Sequence, residues 1–390
     1  MEAKQAATDV TIRRVKAHPV ALERDGSAVG SAGSPHALAG EAVYAWSEHY
    51  PALYSRRFET CLVEVELSDG RIGWGEAQAP LAPGVPAEIV RSLLAPVLVG
   101  EAFAPTPARI AELWERMYAT MRVRGQTGGF MLDAMAGVDL ALWTFVPDVP
   151  ETRVRERVPA YVSGVPGASV EERVEFARAW FEQGFGLFKL YFESDWDLLL
   201  KTHDAIRTAL PGAQVAVDAL WHLPAGRELD CAKDLAAREA AWLECPLVPE
   251  DVEGHVRLVE ASGVRLAIGE SYRTRWEARP FLERGIVSVW QPDLGRSGLT
   301  ETLVLAEMAA AHGAVIVPHV SIAMPPQLNA AFRAARMIPN CPWLEFNPKV
   351  VEMANRFATK PAELSQGMFL QELGDLNEVA KRAYSAATVA

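Results

Sequence analysis

The second half of the chain contains a repeat of short apolar segments, each ending in a polar residue. From about Val158 onward, eight such segments alternate with amphipathic helical stretches. The segments are VPAYVS, GLFKLY, QVAVDA, AWLECP, RLAIGE, IVSVWQPD, AVIVPHV and WLEFN. Eight β/α units in succession are typical of a closed parallel barrel.

Polar residues end these predicted strands at nearly constant spacing. Twenty-six residues separate Asp218 from Glu244, Glu244 from Glu270, Asp293 from His319, and His319 from Glu345. Barrel enzymes carry their chemistry at the carboxyl ends of successive strands. We therefore expect these side chains to converge at one mouth of the barrel.

Lys189 stands in the middle of an apolar strand, 29 residues before Asp218. Side chains two apart in a strand share a face, so Lys189 and Tyr191 point one way while Phe188 and Leu190 point the other. A lysine is almost never fully buried unless it is paired. The sequence therefore predicts that Lys189 joins the strand-end side chains in one polar ring at the barrel mouth.

The composition argues against several classes of partner. Lys plus Arg is 38 against 50 for Asp plus Glu, which gives a net charge of −12 without a basic block. This balance disfavours nucleic acid and anionic membranes, but it allows an anionic small molecule at a local cation. The four scattered cysteines indicate reduced thiols. No secretory signal or bilayer-length apolar run is visible in the sequence, so we expect a cytoplasmic protein.

Three of the strand-end residues are carboxylates on adjacent predicted strands: Asp218, Glu244 and Glu270. Converging carboxylates repel one another, and a hard divalent ion with oxygen ligands relieves that repulsion. Mg²⁺ is the natural candidate. The alternative is that each carboxylate caps a helix or forms a salt bridge, but three in phase favour a metal site.

His319 and Asp293 end two neighbouring predicted strands. A carboxylate beside a histidine fixes its tautomer and raises its basicity, as in a general base. Lys189 and Tyr191 would lie on the opposite side of the metal. Glu345 could hydrogen-bond a substrate oxygen if it is protonated. A metal flanked by bases on two sides suits removal of a proton α to a carboxylate, because Mg²⁺ and a lysine ammonium can stabilise the resulting enediolate.

The first part of the chain has a different texture. TCLVEVELSDGRIGWGEA alternates apolar and polar residues around a hairpin turn at Asp69-Gly70. The stretch ARIAELWERMYATMR carries an apolar stripe at helical spacing, and GGFMLDAMAGVDLALW is apolar nearly all round. These patterns predict an α+β region with two buried helical faces.

Taken together, these segments resemble the enolase superfamily, close to the mandelate racemase and muconate lactonizing enzyme group. The stretches that carry the resemblance are KLY, VAVDALW, WLECPL, IGES, QPDLGRSGLTE, VPHVS and MLDAMAGVDLALW. The resemblance spans nearly the whole length. It implies an α/β fold: a modified TIM barrel of the (β/α)7β type over 151–347, with an N-terminal α+β capping domain over 1–150. The C-terminal segment 348–390 would pack back on the cap.

The resemblance also implies a site and its partners. One Mg²⁺ would be held by Asp218, Glu244 and Glu270, and the His319–Asp293 dyad or the residues of the second strand would deprotonate a small-molecule carboxylate. A homo-oligomer is implied as well. The cap would supply specificity through a loop around 20–58, where Trp46, His49 and Tyr50 are candidate substrate contacts.

Two departures from the family pattern bear on the chemistry. The usual second lysine of the second barrel strand is replaced by Tyr191, a poor base because a free tyrosine has a pKa of about 10. This disfavours a two-base racemase. Leu220 stands where an asparagine is common, followed by Trp221 and His222, and His222 is a further candidate for substrate contact.

With one competent base, the sequence favours β-elimination, in which a sugar acid loses water to give a 2-keto-3-deoxy acid. A racemase, epimerase or cycloisomerase of a hydroxy or sugar acid is the alternative within the class. A third hypothesis is a catalytically idle relative that binds an acid metabolite, supported only by the lost second lysine.

Overall fold

The computed structural model describes residues 10–23, 42–47, 52–147 and 154–387. The strands in chain order are β1 (Ile12–Glu23), β2 (Tyr44–Ser47), β3 (Ala52–Ser55), β4 (Arg57–Leu67), β5 (Ile72–Ala77), β6 (Val158–Ser163), β7 (Leu187–Tyr191), β8 (Gln214–Asp218), β9 (Leu243–Glu244), β10 (Leu266–Ile268), β11 (Val287–Trp290), β12 (Val315–Ile316), β13 (Leu344–Phe346), β14 (Glu363–Ser365) and β15 (Met368–Gln371). The helices are α1 (Gly84–Ile89), α2 (Ala95–Leu98), α3 (Pro107–Arg122), α4 (Phe130–Trp143), α5 (Val170–Phe181), α6 (Trp196–Ala209), α7 (Glu228–Ala237), α8 (Val252–Ser262), α9 (Arg275–Leu282), α10 (Leu294–Ala311), α11 (Pro325–Met337), α12 (Pro348–Asn355) and α13 (Glu378–Ala387).

The N-terminal cap is built on an antiparallel sheet in the order β1–β4–β5. The alternating sequence of β4 and β5 pairs as the predicted hairpin around Asp69-Gly70. Helix α4 packs on this sheet and is buried along almost its whole length, as expected for a helix that is apolar nearly all round. The approach is close: a Cβ at Gly75 would clash with the carbonyl oxygen of Gly137 on α4.

The barrel confirms the predicted fold class. Eight parallel strands run in the order β13–β6–β7–β8–β9–β10–β11–β12, with α5 to α11 between them in sequence, which is a (β/α)7β arrangement. Ile316 N donates to Asn340 O at 2.9 Å and so links β12 to the segment that precedes β13. Large side chains, including Tyr161 and Trp242, fill the interior below the mouth.

The C-terminal segment packs against both parts of the molecule. Strand β15 pairs antiparallel with β6, and α13 lies against β1. A separate apolar cluster joins cap residues to this segment; its buried members include Val20, Phe58, Leu62, Met353, Phe357, Leu376 and Ala380. The domain boundaries at 150 and 347 stay a prediction.

Buried carboxylates of the cap dock it onto the barrel. Asp133 on α4 forms an ion pair with Arg273, with 2.8 Å between Oδ1 and Nε. Asp139, on the same helix, accepts a hydrogen bond from Leu299 N at 2.7 Å. Leu299 directly follows Gly298, where α10 is interrupted by a φ of 71°. Within the described residues, the helices are all too short or too polar to cross a bilayer.

Candidate metal and proton-transfer site

Three carboxylates meet at the carboxyl ends of adjacent barrel strands. Asp218 and Glu244 are the last residues of β8 and β9 and are paired in register, and Glu270 follows β10 by two residues. Each offers one oxygen, and these oxygens all lie within 4.8 Å of one another. The structure thus brings together the three residues expected from the 26-residue spacing.

The electrostatics of this carboxylate cluster call for a cation. Burial raises the pKa of Asp218 well above its usual range, and repulsion from Glu244 and Glu270 adds to the rise. Burial likewise raises the pKa of Glu270, with Glu244 again contributing. A set of three hard oxygen donors in a confined space fits Mg²⁺, which would relieve the repulsion if it were bound there.

Lys189 lies at the centre of the polar ring and is 1% exposed. Its Nζ is 2.6 Å from Glu244 Oε1, 3.0 Å from Glu345 Oε1 and 3.7 Å from Asp218 Oδ2. Burial alone would lower the pKa of Lys189, but attraction to Glu244 and Glu345 outweighs it and raises the pKa well above its ordinary value. Lys189 is therefore a permanent ammonium in the ring.

Two further side chains orient Glu244 and were missed from the sequence. Trp242 Nε1 and Gln291 Nε2 donate to Glu244 Oε2 at 2.9 and 2.8 Å. Strand alternation offered a signal for Trp242, because it stands two residues before Glu244 and so shares its face. Gln291 follows β11 directly, and no pattern in the sequence marks it as a partner of β9.

The predicted dyad forms at the ends of β11 and β12. His319 Nδ1 and Asp293 Oδ2 are 2.9 Å apart, and His319 Nε2 faces Glu270 Oε2 at 3.7 Å. Burial alone would lower the pKa of His319, but the charge of Glu270 and the hydrogen bond to Asp293 raise it to about 10. A cation bound by the cluster would offset the contribution of Glu270 to this rise and leave His319 Nε2, which points toward the cluster, able to accept a proton.

Glu345 has a different charge from the one considered at the level of sequence. Its Oε2 accepts from Val320 N at 2.8 Å, and its Oε1 faces Lys189. Burial would raise the pKa of Glu345, yet Lys189 and His319 lower it below its ordinary value. Glu345 is held as an ionised acceptor, so this arrangement disfavours the protonated donor that a substrate oxygen would need.

Tyr191 lies on the far side of the cluster from His319 in strand order. Its hydroxyl is 2.9 Å from Ser163 Oγ, on β6. Burial raises the pKa of Tyr191 above its ordinary value, against the attraction of Lys189, which lies 5.8 Å from the ring centroid. A neutral hydroxyl can donate a proton or a hydrogen bond, but it is a weak base.

Of the candidate substrate contacts, the structure describes Trp46 and His222. Trp46 is 53% exposed on hairpin β2–β3, and His49 lies outside the described residues, as does Tyr50. His222 contacts Leu220 O through Nδ1 at 2.9 Å, and its ring centroid lies 5.1 Å from that of Phe192.

One cap residue near the site was not anticipated. Tyr54 is half-buried on the face of hairpin β2–β3 opposite Trp46, since Tyr54 pairs with Ala45 while Trp46 pairs with Leu53. Burial raises the pKa of Tyr54, and the charge of Glu270 adds to the rise, so the tyrosine lies within electrostatic range of the cluster. Only the docking of the cap brings these two residues near each other.

This fold and site define the class of capped (β/α)7β-barrel proteins with a carboxylate cluster at the barrel mouth. Residues 172–373 match the family described as Enolase C-terminal domain-like. Residues 52–154 match the Mandelate racemase / muconate lactonizing enzyme, N-terminal domain. The chain belongs to the enolase superfamily, in its mandelate racemase/muconate lactonizing enzyme group, whose members are enzymes.

Similar proteins support the same assignment. The chain is 30% identical over 274 residues to D-galactarolactone cycloisomerase from Agrobacterium fabrum. The match covers 66% of this chain and 70% of that protein. It is 29% identical over 284 residues to D-galactonate dehydratase from Variovorax paradoxus, with the same coverage of 66% and 70%. A crystal structure of an enolase superfamily member from Agrobacterium tumefaciens has a TM-score of 0.86 and 26% identity, covering 96% of this chain and 98% of that one.

Proposed function

We propose that this protein removes the α-proton of a sugar acid and eliminates its β-hydroxyl, which converts an aldonate or aldarate to a 2-keto-3-deoxy acid. The observation that carries the proposal is the asymmetry of the site. A histidine held by Asp293 at 2.9 Å stands at one side, whereas the other side offers the neutral pair Tyr191–Ser163. One strong base and one neutral donor suit elimination.

The proton path follows from the dyad geometry. Asp293 occupies Nδ1 of His319, so Nε2 is the atom that accepts the α-proton. The Cα–H bond breaks and its electrons move onto the carboxylate oxygens as an enediolate. When the enediolate collapses, these electrons form the Cα–Cβ double bond as the bond from Cβ to its hydroxyl breaks. His319 or Tyr191 donates a proton to that hydroxyl, which departs as water, and the enol tautomerises to the keto acid.

The charges around the site support carboxylate binding. Mg²⁺ held by Asp218, Glu244 and Glu270 would supply positive charge beside the substrate carboxylate and make its α-proton more acidic. Lys189 adds a permanent ammonium at the same mouth, which favours the negative charge that develops on the carboxylate oxygens. Ionised Glu345 holds that ammonium and the Val320 backbone in place.

Cycloisomerisation of a sugar-acid lactone is the second candidate, favoured by the 30% identity to D-galactarolactone cycloisomerase. It also begins with loss of an acidic proton to one base, but the product keeps the mass of the substrate. Racemisation needs a second base on the opposite face, and the raised pKa of Tyr191 disfavours it. Strands β2 and β3, which carry the half-buried Tyr54 within electrostatic range of Glu270, would contribute to substrate selection in each case.

The test is a panel of aldonates, aldarates and their lactones, incubated with Mg²⁺ in H2O and in D2O. Dehydration predicts a 2-keto product that is lighter than the substrate by one water, whereas cycloisomerisation predicts a product of equal mass. Inversion at Cα in recovered substrate, together with deuterium uptake and without water loss, would indicate racemisation or epimerisation. Turnover that persists after complete removal of Mg²⁺ by chelation would contradict the proposal.

His319→Asn is the matched variant for this assay, because asparagine keeps a hydrogen-bonding group while removing the basic nitrogen. We expect it to lose turnover by about 10²- to 10⁴-fold. Equal activity of the variant and the wild type on every acid would favour the hypothesis of a non-catalytic binding protein. A cytoplasmic homo-oligomer stays a prediction, and light scattering of the purified protein measures the assembly.

A further inference from the structure

Gln327 has a buried side-chain amide, and the nitrogen of this amide donates two hydrogen bonds. It is 2% exposed, in the first turn of α11. Its Nε2 donates to Asp293 Oδ1 at 2.8 Å and to Ser321 Oγ at 3.1 Å. The residue therefore connects the end of β11 to the segment just after His319, which are the two places that carry the dyad.

The carboxylate of Asp293 is fully buried and has a donor on each side. His319 Nδ1 contacts Oδ2, while Gly295 N and Gln327 Nε2 donate to Oδ1 at 2.9 and 2.8 Å. Rotation of the carboxylate about its Cβ–Cγ bond would move Oδ2 away from His319. Gln327 supplies the only side-chain donor to Oδ1 within the described part of the chain, and it opposes that rotation.

A glycine makes room for this amide. A Cβ on Gly295 would lie 2.6 Å from Gln327 Oε1 and 2.8 Å from Gln327 Cδ, both closer than real contacts allow. Among the described residues, Gln327 Oε1 has no hydrogen-bond partner. The NH2 group makes this amide's hydrogen bonds within the protein, and it faces Asp293 and Ser321.

The cap contacts the backbone at the start of α11, where Gln327 lies. Glu76, at the end of β5, accepts from Gln327 N at 3.4 Å and from Met324 N at 3.0 Å through Oε2. Gln78, two residues on, donates from its backbone N to Gly295 O at 2.8 Å. The end of one cap strand therefore contacts both segments that flank the Asp293 carboxylate.

We propose that Gln327 is a positioning residue for the base: its amide fixes the plane of the Asp293 carboxylate, and Asp293 in turn aims His319 Nε2 at the carboxylate cluster. Glu76 fixes the backbone of Gln327, so the docked cap is part of the same support. The inference rests on the proposed function for its kinetic consequence, but its structural consequence can be measured without a substrate.

Gln327→Met is the principal variant, because methionine keeps the volume and removes both N–H donors. Asn329→Ala is the matched control: Asn329 lies on the same helix, and its amide contacts the backbone of Leu373, not the dyad. Gly295→Ala tests the same amide from the other side by displacing it. Each protein is crystallised with Mg²⁺, and its kcat, its KM and its Mg²⁺ affinity by calorimetry are compared with those of the wild type.

We expect Gln327→Met to lower kcat by about 10- to 100-fold, as is typical when the group orienting a functional side chain is lost. KM and Mg²⁺ affinity should stay within about twofold. The crystal structure should show a rotated Asp293 carboxylate, and Gly295→Ala should reproduce the effect if Gln327→Met does not fold. Asn329→Ala should keep kcat within about twofold, whatever its effect on melting temperature.

An unchanged Asp293–His319 hydrogen bond in both variants overturns the inference, whatever the kinetics show. Equal losses in kcat, Mg²⁺ affinity and melting temperature also overturn it, because they indicate a general packing role. If the wild type turns over none of the acids tested, the proposed function fails, and the crystal structures still decide whether Gln327 positions Asp293.

Discussion

Lys189 Nζ lies 2.6 Å from Glu244 Oε1, so a fully buried ammonium and one of three clustered carboxylates form a single buried ion pair. Glu345 lies on the other side of the ammonium at 3.0 Å. Neither charge is solvated by bulk water, and each depends on the other for its stability. The middle of an otherwise apolar strand carries a lysine for this reason.

Replacing Lys189 with Met should destabilise the protein. Removal of one partner leaves buried carboxylates without a counter-charge, which costs about 3–5 kcal/mol in the free energy of unfolding. Urea denaturation in the presence of a chelator measures the loss. Lys201→Met, at an exposed position of α6, is the control and should change stability by less than about 0.5 kcal/mol. A Lys189→Met protein as stable as the wild type would contradict this ion-pair account.

Asp218→Asn should separate metal binding from stability. The carboxyl pKa of Asp218 is raised by burial and by the neighbouring carboxylates, so neutralising it in the presence of chelator should leave the melting temperature equal or higher. Mg²⁺ at 100 times its dissociation constant should stabilise the wild type by about 2.7 kcal/mol and the variant by much less.

Differential scanning calorimetry with and without Mg²⁺ checks that prediction. Asp230→Asn, an exposed substitution on α7, should retain the full Mg²⁺ effect. A full Mg²⁺ effect in Asp218→Asn would exclude Asp218 as a ligand.

Tyr191→Phe should impair water loss more than proton abstraction. The variant removes the hydroxyl that contacts Ser163 and leaves His319 and Asp293 untouched. We expect dehydration to slow by about 10- to 100-fold while washout of deuterium from α-deuterated substrate continues. Mass spectrometry of recovered substrate and product measures both rates, and Tyr118→Phe on α3 is the control. Complete loss of α-proton exchange would instead identify Tyr191 as the base.

Glu76→Gln should change how stability depends on pH. Burial raises the pKa of Glu76 from 4.5 to about 8, although hydrogen bonds from Met324 N and Thr60 lower it. An acid whose pKa is higher in the folded state stabilises the fold at low pH, and this contribution is lost as pH rises from about 4.5 through 8. The stability of the wild type relative to Glu76→Gln should therefore fall by at most about 1.4 kcal/mol per pH unit in that window.

Urea denaturation of both proteins at pH 5, 6, 7 and 8 checks the direction of this change. Glu112→Gln, at an exposed site on α3, should show the pH profile of the wild type. Parallel profiles for the wild type and Glu76→Gln would mean that Glu76 titrates alike in the folded and unfolded chains.

Much of the site could be predicted because its residues stand at regular intervals along the chain and at positions set by strand alternation. A parallel β/α barrel places successive strand ends at one mouth, so a polar residue every 26 positions is enough to bring Asp218, Glu244 and Glu270 together. Strand alternation likewise puts Lys189 on the inner face. The pairing of His319 with Asp293 follows from the adjacency of consecutive strands.

The other features of the site depend on contacts between segments that do not belong to the repeat. Glu76 and Met324 meet across 248 residues because the cap docks on the start of α11. Gln327 reaches Asp293 across 34 residues because the start of α11 packs beside the end of β11. The proximity of Tyr54 to Glu270 has the same origin. The ionised state of Glu345 is set by the distance to Lys189 and by burial, and neither quantity is carried by residue type or spacing. Sequence periodicity fixes which residues face the mouth; docking and desolvation fix their partners and charges.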